Sequence, residues 1–210
     1  MELNKYIDHT NLKPTATRED IFELCMEAKE YAFASVCVNS YWVRYCSELL
    51  SESDVAVCTA VGFPLGAMST KAKMLEALEA VGDGADEIDM VMNIGELKAG
   101  NDESVLADLV AVVEAVRGTC VKVILETCLL DKEEIRRASQ LCVKANATYV
   151  KTSTGFSISG ATKDDVAYMK ACVGDKCKVK AAGGISSHAD TMIEAGADRI
   201  GTSAGVKLLK

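Results

Sequence analysis

The sequence has few of the residues that form metal sites, and it lacks a long apolar run. Its 210 residues include only two histidines, His9 and His188, and no two of its nine cysteines are spaced as Cys-x-x-Cys. No zinc ligand set can be assembled from these residues, so we expect no metal and buried, reduced thiols. No apolar run approaches the roughly 20 residues that cross a bilayer, and residues 1–5 contain no apolar signal core. We therefore expect a cytoplasmic protein that does not bind membranes.

A strongly basic composition is also missing. Lys and Arg number 23 against 31 Asp and Glu, which gives a formal net charge of −8 at pH 7. Nucleic-acid binding depends on clustered Lys and Arg that contact phosphates, so this balance argues against it as the main function. A small phosphate site is still compatible with the composition, because backbone N–H groups bind anions with little formal charge.

The chain reads as one domain, residues 1–210, in which short β-rich runs alternate eight times with longer helical runs. This alternation predicts parallel strands joined by helices, and eight such units predict a closed (β/α)8 TIM barrel. The alternative, an open doubly wound sheet, usually has a Gly-rich fingerprint after its first strand, and none is present. The predicted strands are Tyr6–His9, Phe33–Asn39, Val55–Val61, Glu87–Asn93, Lys122–Glu126, Thr148–Thr152, Cys177–Ala182 and Arg199–Thr202. The predicted helices are Arg18–Tyr31, Tyr41–Leu50, Thr70–Val81, Ser104–Arg117, Lys132–Ala145, Lys163–Val173, His188–Ala195 and Ala204–Leu209.

Two lysines lie at the ends of consecutive predicted strands. Lys151 comes late in the sixth strand and Lys180 late in the seventh. Chemistry in a TIM barrel gathers at the C-terminal ends of the strands, so the two amines could share one pocket. There the charge on one lysine would lower the pKa of the other, which is how a neutral amine that attacks carbonyl groups is produced.

A carboxylate is predicted to join the lysines. In the fourth strand Ile88, Met90 and Met92 form one apolar face, so alternation turns Asp89 toward the barrel axis. A buried carboxylate needs a cationic partner, and Lys151 and Lys180 are the candidates; a purely structural ion pair is the alternative. We interpret two other strand lysines as structural. Lys122 starts its predicted strand and should be solvated at the opposite end, and Lys178 lies one pleat below Lys180.

Glycines follow the last three predicted strands. Gly155 comes after the sixth strand, Gly183 and Gly184 after the seventh, and Gly201 lies in the eighth, ahead of Ser203. Glycine lets the backbone approach an anion and direct N–H groups toward it. Loops after strands seven and eight are where TIM barrels commonly bind phosphate, so these residues predict a phosphate site beside the lysines.

Five segments resemble the signatures of the deoxyribose-phosphate aldolase family, a metal-free group of class I aldolases. Together they extend the resemblance over nearly the whole chain. The segments are Tyr6-Ile-Asp-His-Thr-Asn-Leu12, Cys58-Thr-Ala-Val-Gly-Phe-Pro-Leu-Gly66, Glu87-Ile-Asp-Met-Val-Met-Asn-Ile-Gly95, Lys151-Thr-Ser-Thr-Gly-Phe156 and Lys180-Ala-Ala-Gly-Gly-Ile185.

The resemblance implies a TIM barrel that reversibly cleaves 2-deoxy-D-ribose 5-phosphate to D-glyceraldehyde 3-phosphate and acetaldehyde without a cofactor. It makes Lys151 the Schiff-base nucleophile, Lys180 the lysine that lowers its pKa, and Asp89 the group that transfers protons. Further positions match the family's substrate pocket and its phosphate site. They are Asp8, Cys37 and Thr154 for the substrate, and Gly155, Gly183, Gly184, Gly201 and Ser203 for the phosphate.

The sequence departs from the family pattern in two places. Ala204 stands where some members have a second phosphate-binding serine, and Lys210 is reached without the tyrosine-terminated tail that some members use in proton transfer. A water held by Asp89 and Lys180 would then have to serve. Another Schiff-base phosphosugar lyase, such as a transaldolase-like enzyme, is the alternative function, and a non-catalytic barrel that binds a phosphometabolite is the second. Family members are often dimers, so a homodimer is a possible assembly.

Overall fold

The computed structural model describes residues 2–210. Eight parallel strands pair in sequence order, and β1 closes the barrel against β8, so the predicted (β/α)8 TIM barrel is confirmed. The strands are β1 Ile7–Asn11, β2 Ser35–Asn39, β3 Ala56–Val61, β4 Glu87–Val91, β5 Cys120–Ile124, β6 Tyr149–Lys151, β7 Lys178–Ala182 and β8 Arg199–Thr202.

Helices follow the strands and surround the barrel. Two of them begin with the capping boxes that their sequences indicate, Thr17 with Asp20 and Asp131 with Glu134. None of the helices in residues 2–210 is long and apolar enough to span a membrane. The helices are α1 Arg18–Glu30, α2 Val43–Leu50, α3 Thr70–Gly82, α4 Ile94–Lys98, α5 Asp102–Ala115, α6 Lys132–Lys144, α7 Lys163–Val173, α8 Ala189–Glu194 and α9 Gly205–Leu209.

The strands separate an apolar layer from a polar barrel interior. Outward residues such as Ile88, Met90 and Val150 are fully buried and belong to the large core that lies between barrel and helices. Side chains alternate along a strand, so the residues between them point into the barrel. Asp89, for example, is fully buried on the inside of β4. The interior therefore contains the largest group of buried charges in the described residues.

The predicted bounds of two strands, β4 and β5, differ from the structure and change which side chains lie in the barrel interior. β5 begins at Cys120, two residues before its predicted start, which puts Lys122 in the middle of the strand. β4 ends at Val91, and the short helix α4, which the sequence analysis did not predict, follows it. The chain leaves the sheet at Asn93 because that side chain caps the new helix by accepting from the Glu96 N–H.

Candidate active site

The Asp89 carboxylate is the centre of the buried charge cluster. Its Oδ2 accepts hydrogen bonds from the Nζ atoms of Lys151 and Lys180, each at 2.7 Å. Its Oδ1 accepts from Lys122 Nζ at 2.9 Å and from the Cys58 thiol at 3.2 Å. Strands β3 to β7 thus each place one donor or acceptor at the same point. The structure brings together the two lysines and the aspartate that the sequence singles out.

Lys122 is a member of this cluster, and the prediction that it is solvated at the far end of the barrel is wrong. Its side chain is fully buried, and its Nζ lies 2.5 Å from a Glu87 oxygen as well as contacting Asp89. The reason is the early start of β5: Lys122 pairs in register with Asp89 and points inward at the same height. Lys178, in contrast, is exposed at the start of β7, near the Tyr149 ring.

Asp8, Glu87 and Arg199 complete the network below the lysines. Asp8 is fully buried, accepts from Lys180, and accepts from Arg199 Nη1 at 2.6 Å. Arg199 also reaches Glu87, at 3.3 Å. Sequence analysis missed Glu87 and Arg199 as members of the site. Glu87 shares inward parity with Asp89, a signal that could have found it, whereas Arg199 carries no local signal.

The cluster holds Asp89, Lys180 and Lys122 in their charged forms. Burial raises the pKa of Asp89, but the ammonium groups of the three lysines lower it by more, so the pKa lies well below its usual range. Burial lowers the pKa of Lys180, but the carboxylates of Asp8 and Asp89 raise it by more. The same balance, with Asp89 the strongest attraction, raises the pKa of Lys122. Lys180 and Lys122 are therefore permanent cations near neutral pH.

A cavity of about 560 Å³ opens at the C-terminal mouth of the barrel, above the cluster. Lys151 reaches its wall, whereas Lys180 and Asp89 lie beneath it with no exposed surface. The other predicted site residues on the wall come from the loops after β6 and β7 and from β8 and its following loop. They are Thr154, Gly155, Gly183, Gly184, Gly201 and Ser203.

Two glycines in the wall are required by close backbone approach. Gly183 has a φ of +93°, and a Cβ there would lie 2.8 Å from the Cα of Gly160. A Cβ on Gly201 would lie 3.1 Å from Lys180 Cε. Any larger residue would therefore strain the loop after β7 or push against the buried lysine. At Gly183 and Gly201 the cavity wall is therefore formed by backbone, whose N–H groups can bind an anion.

Thr154 and Cys37 are both buried, although Thr154 borders the cavity and Cys37 does not. The Thr154 hydroxyl donates to the buried Glu126 carboxylate and accepts from the Phe156 N–H at 3.0 Å, so it fixes the loop after β6. Glu126 itself has a φ of +58°, an uncommon conformation for this residue type. Cys37 is fully buried inside the barrel and pairs in register with Cys58, below the cavity. Neither thiol is part of the cavity wall.

The interior contains two groups of acid and thiol atoms that are close enough to share a metal ion. Asp89 with Cys37 and Cys58, and Glu87 with Asp8 and Cys58, each have ligand atoms within 4.8 Å of one another. The Lys122 ammonium contacts both groups, through Asp89 at 2.9 Å and Glu87 at 2.5 Å. A second cation among these atoms would be repelled by Lys122, so this donor set does not suit a metal.

Comparison with known proteins agrees with this geometry. The sequence model described as DeoC/LacD family aldolase matches residues 3–210. Deoxyribose-phosphate aldolase 1 of Mesoplasma florum is 57% identical over 212 residues, covering 100% of this chain and 96% of that protein. The deoxyribose-phosphate aldolase of Streptococcus sanguinis is 56% identical with the same coverage. The structure of a deoxyribose phosphate aldolase from Aeropyrum pernix superposes with a TM-score of 0.92 at 34% identity, covering 99% of this chain and 89% of that one. The chain belongs to the DeoC/LacD family of aldolases.

Proposed function

We propose that this enzyme reversibly cleaves 2-deoxy-D-ribose 5-phosphate to D-glyceraldehyde 3-phosphate and acetaldehyde through a Schiff base on Lys151. The observation that carries the proposal is the arrangement of Lys151: its amine reaches the cavity wall and shares one oxygen of Asp89 with a second lysine. Family membership and the names of the relatives support the choice of substrate.

The contacts of the two lysines support different roles for them. Lys180 is fully buried and bonds to both Asp8 and Asp89, so its charge is doubly compensated, and its amine does not line the cavity. Lys151 bonds to Asp89 and borders the cavity. Lys151 is therefore the amine that can meet an aldehyde, and a neutral amine is the nucleophile that forms a Schiff base. Lys180 takes the role that the family resemblance gives it, the neighbouring cation beside that amine.

The reaction follows from that nucleophile. Lys151 attacks C1 of the open-chain sugar and loses water to form an iminium ion, which accepts the electron pair of the C2–C3 bond. That bond is the one that breaks, because acetaldehyde contains two carbons. A base removes the C3 hydroxyl proton, and glyceraldehyde 3-phosphate leaves. We assign this proton transfer to a water held by Asp89 and Lys180. Protonation of the enamine at C2 and hydrolysis release acetaldehyde and restore Lys151.

The phosphate takes no part in the bond changes, so its role is to position the sugar. The glycines after β6 and β7, together with Gly201 and Ser203, would offer backbone N–H groups and a hydroxyl to it in the cavity that Lys151 also lines. Binding a remote, non-reacting group in this way holds C1 against the amine. Asp8 supports the site from below through Lys180, and Cys37 lies in register beside Cys58, whose thiol donates to Asp89.

We also propose a cytoplasmic homodimer, the assembly that the family resemblance implies. The solved relative from Aeropyrum pernix is described as a tetramer, so a tetramer is the competing assembly. Light scattering of the purified protein would give the mass directly, to be compared with the 22.4 kDa of one chain. A mass near twice that value supports the dimer.

A substrate panel tests the proposed reaction. We expect acetaldehyde release from 2-deoxy-D-ribose 5-phosphate, and much slower release from unphosphorylated 2-deoxyribose. A transaldolase-like enzyme would instead transfer a dihydroxyacetone unit between sugar phosphates and release no acetaldehyde. Activity that disappears on addition of a chelator, or a panel in which another phosphosugar is cleaved and deoxyribose 5-phosphate is not, would contradict the proposal. The variant Lys151→Arg keeps a cation at the position and is the matched inactive control.

A further inference from the structure

We propose that Glu126 is a positioning residue for the substrate phosphate, because its buried carboxylate holds the loop after β6 in the conformation that completes the phosphate site. The inference rests on the proposed function for the identity of the bound group. Glu126 follows β5 and does not line the cavity, so it does not touch a substrate there. Its effect must therefore pass through the loop that it holds.

The backbone of Glu126 has a conformation that its residue type disfavours. Its φ of +58° lies in the left-handed region, and the residue is only 2% exposed. Glycine and asparagine adopt this region more easily than glutamate does. Strained residues persist where the surrounding structure holds them, and they are concentrated at functional sites. In this conformation the Glu126 carboxylate meets the loop after β6.

The carboxylate binds that loop through two atoms of one residue. It accepts from the Thr154 backbone N–H, at 3.2 and 3.4 Å for its two oxygens, and from the Thr154 hydroxyl. The same hydroxyl accepts from the Phe156 N–H at 3.0 Å. Gly155, between these contacts, has a φ of +85°. Glu126 and Thr154 thus fix the chain on both sides of Gly155, a glycine of the proposed phosphate site.

The loop after β6 in turn supports the loop after β7. The Ala161 N–H donates to the Ala182 carbonyl at 3.0 Å, and a Cβ on Gly160 would lie 2.0 Å from the Gly183 carbonyl oxygen. A Cβ on Gly155 would lie 3.8 Å from Gly183 Cα. The two loops pack backbone against backbone, so a shift of one is transmitted to the other. The support from β5 therefore reaches the glycines of both loops.

The contact with Glu126 leaves Thr154 without a proton to donate to a substrate. A threonine hydroxyl has one proton, and here that proton goes to the carboxylate. The Phe156 N–H fills one of the acceptor positions of the same hydroxyl. The family resemblance places Thr154 in the substrate pocket, whereas in this structure its hydrogen bonds hold the loop. Thr154 and Glu126 therefore act as one unit.

Glu126→Gln tests the carboxylate at constant size. The amide replaces one accepting oxygen by a donating nitrogen and removes the charge, so the loop is held less firmly. We expect the dissociation constant of inorganic phosphate, measured by titration calorimetry, to rise about tenfold, as for the loss of a hydrogen bond to a charged group. Borohydride trapping of acetaldehyde on Lys151 should match the wild type, because acetaldehyde carries no phosphate.

The matched control is Glu76→Gln. Glu76, on α3, also accepts from a loop N–H, that of Gly62 at 2.9 Å, and from a hydroxyl, that of Ser40 at 3.1 Å. The loop that it holds follows β3 and does not line the cavity. We expect its phosphate dissociation constant to equal that of the wild type. A constant that is unchanged in Glu126→Gln, or that rises as far in Glu76→Gln, overturns the inference.

Two substitutions of Thr154 test whether it acts with Glu126. Thr154→Val removes the hydroxyl at constant shape and should raise the phosphate dissociation constant about tenfold, whereas Thr154→Ser keeps the hydroxyl and should stay close to the wild type. The double variant Glu126→Gln/Thr154→Val should also show a rise of about tenfold, because both changes break the same contact. A rise of about a hundredfold would mean independent roles and overturns the inference. If Glu126→Gln does not fold, the two Thr154 variants decide, since equal constants in them contradict a role of the hydroxyl.

The inference and the proposed function fail separately. Wild-type protein that releases no acetaldehyde, yet loses phosphate affinity in Glu126→Gln and not in Glu76→Gln, contradicts the proposed function and retains the role of Glu126. Wild-type protein that releases acetaldehyde, with equal phosphate affinity in Glu126→Gln, does the reverse. Wild-type protein without measurable affinity for inorganic phosphate also overturns the role of Glu126.

Discussion

Lys151 and Lys180 donate to the same carboxylate oxygen, Asp89 Oδ2, each at 2.7 Å. They differ in everything else that bears on reactivity. Lys180 has a second carboxylate partner, Asp8, and no exposed surface, whereas Lys151 borders the cavity. The sequence predicts the pair but not which lysine is the nucleophile, except through resemblance. The contacts supply a physical reason for that order.

Removal of the Asp89 charge should abolish most of the activity. Asp89→Asn keeps the shape of the side chain but leaves three lysines around a neutral amide, and the water that transfers the proton loses its anionic partner. We expect kcat to fall by about 10² to 10⁴, the usual contribution of a general acid–base group. Steady-state kinetics with 2-deoxy-D-ribose 5-phosphate as substrate measures this fall in kcat.

Asp108→Asn is the control for this variant. Asp108 is also a buried aspartate that binds a buried lysine, Lys73, but it lies between helices α3 and α5. The Asp108→Asn substitution should lower the free energy of unfolding. It should leave kcat of the folded protein within about twofold of wild type, as expected of a substitution far from the reacting groups. Equal losses of kcat in the two variants would show that any broken buried ion pair inactivates the enzyme.

Loss of the second lysine should lower the rate of the reaction. Lys180→Met removes the cation that donates to both Asp8 and Asp89, so the Asp89 carboxylate beside Lys151 loses one of its partners. We expect kcat/KM with 2-deoxy-D-ribose 5-phosphate to fall by about 10². A kcat/KM close to that of the wild type in folded Lys180→Met would mean that Lys180 acts only as a structural partner of Asp8.

A substitution in the loop after β7 should weaken binding of the substrate phosphate more than it slows the bond-breaking steps. Gly183→Ala places a methyl group 2.8 Å from Gly160 Cα at a φ of +93°. The strain should displace this loop from its phosphate-binding conformation, and we expect KM for the phosphorylated sugar to rise roughly tenfold, which is about 1.4 kcal/mol. The rate with unphosphorylated deoxyribose should change little. Gly82→Ala, on α3 with open space around it, is the control, and an equal rise of KM there would exclude this explanation.

The buried carboxylates should make the protein sensitive to acid. The pKa of Asp8 is lowered because the attraction of Lys180, Lys122 and Arg199 outweighs its burial. The pKa of Asp89 is lowered in the same sense. Below the usual carboxyl pKa of about 4 the unfolded chain takes up protons that the folded chain does not. Stability is therefore complete above that pH and is lost as the pH falls toward the folded-state values.

Urea unfolding at pH 7, 5 and 3 measures this effect. We expect little change of the free energy of unfolding between pH 7 and pH 5, and a loss of at least about 2 kcal/mol on going to pH 3 and below. Asp8→Asn should be less stable at pH 7 but should have a flatter acid limb, because one of the responsible carboxyls is gone. An unchanged acid slope in Asp8→Asn would contradict the assignment to this cluster.

The barrel could be predicted from sequence because its signal is local and repeated. Each βα unit shows its own apolar periodicity, and the strand-end positions of Lys151 and Lys180 follow from it. The inward direction of Asp89 follows from alternation within β4 alone. None of these inferences needs to know which strand lies beside which.

Lys122 and Arg199 could not be placed in the same way. The height of Lys122 in the barrel depends on the true start of β5, and an error of two residues moved it to the wrong end of the barrel. Its partnership with Asp89 depends on the register between β4 and β5, which no local pattern gives. Arg199 reaches Asp8 across 191 residues of sequence, a contact that exists only after the barrel closes.

The most direct test of the central claim is borohydride trapping with substrate. Protein incubated with 2-deoxy-D-ribose 5-phosphate or acetaldehyde and then reduced should gain one adduct per chain, and peptide mass spectrometry should place it on Lys151. Lys151→Arg should gain none, and Lys178→Met should gain it as the wild type does. An adduct on Lys180 or Lys122, or turnover that leaves no adduct at all, would contradict the account.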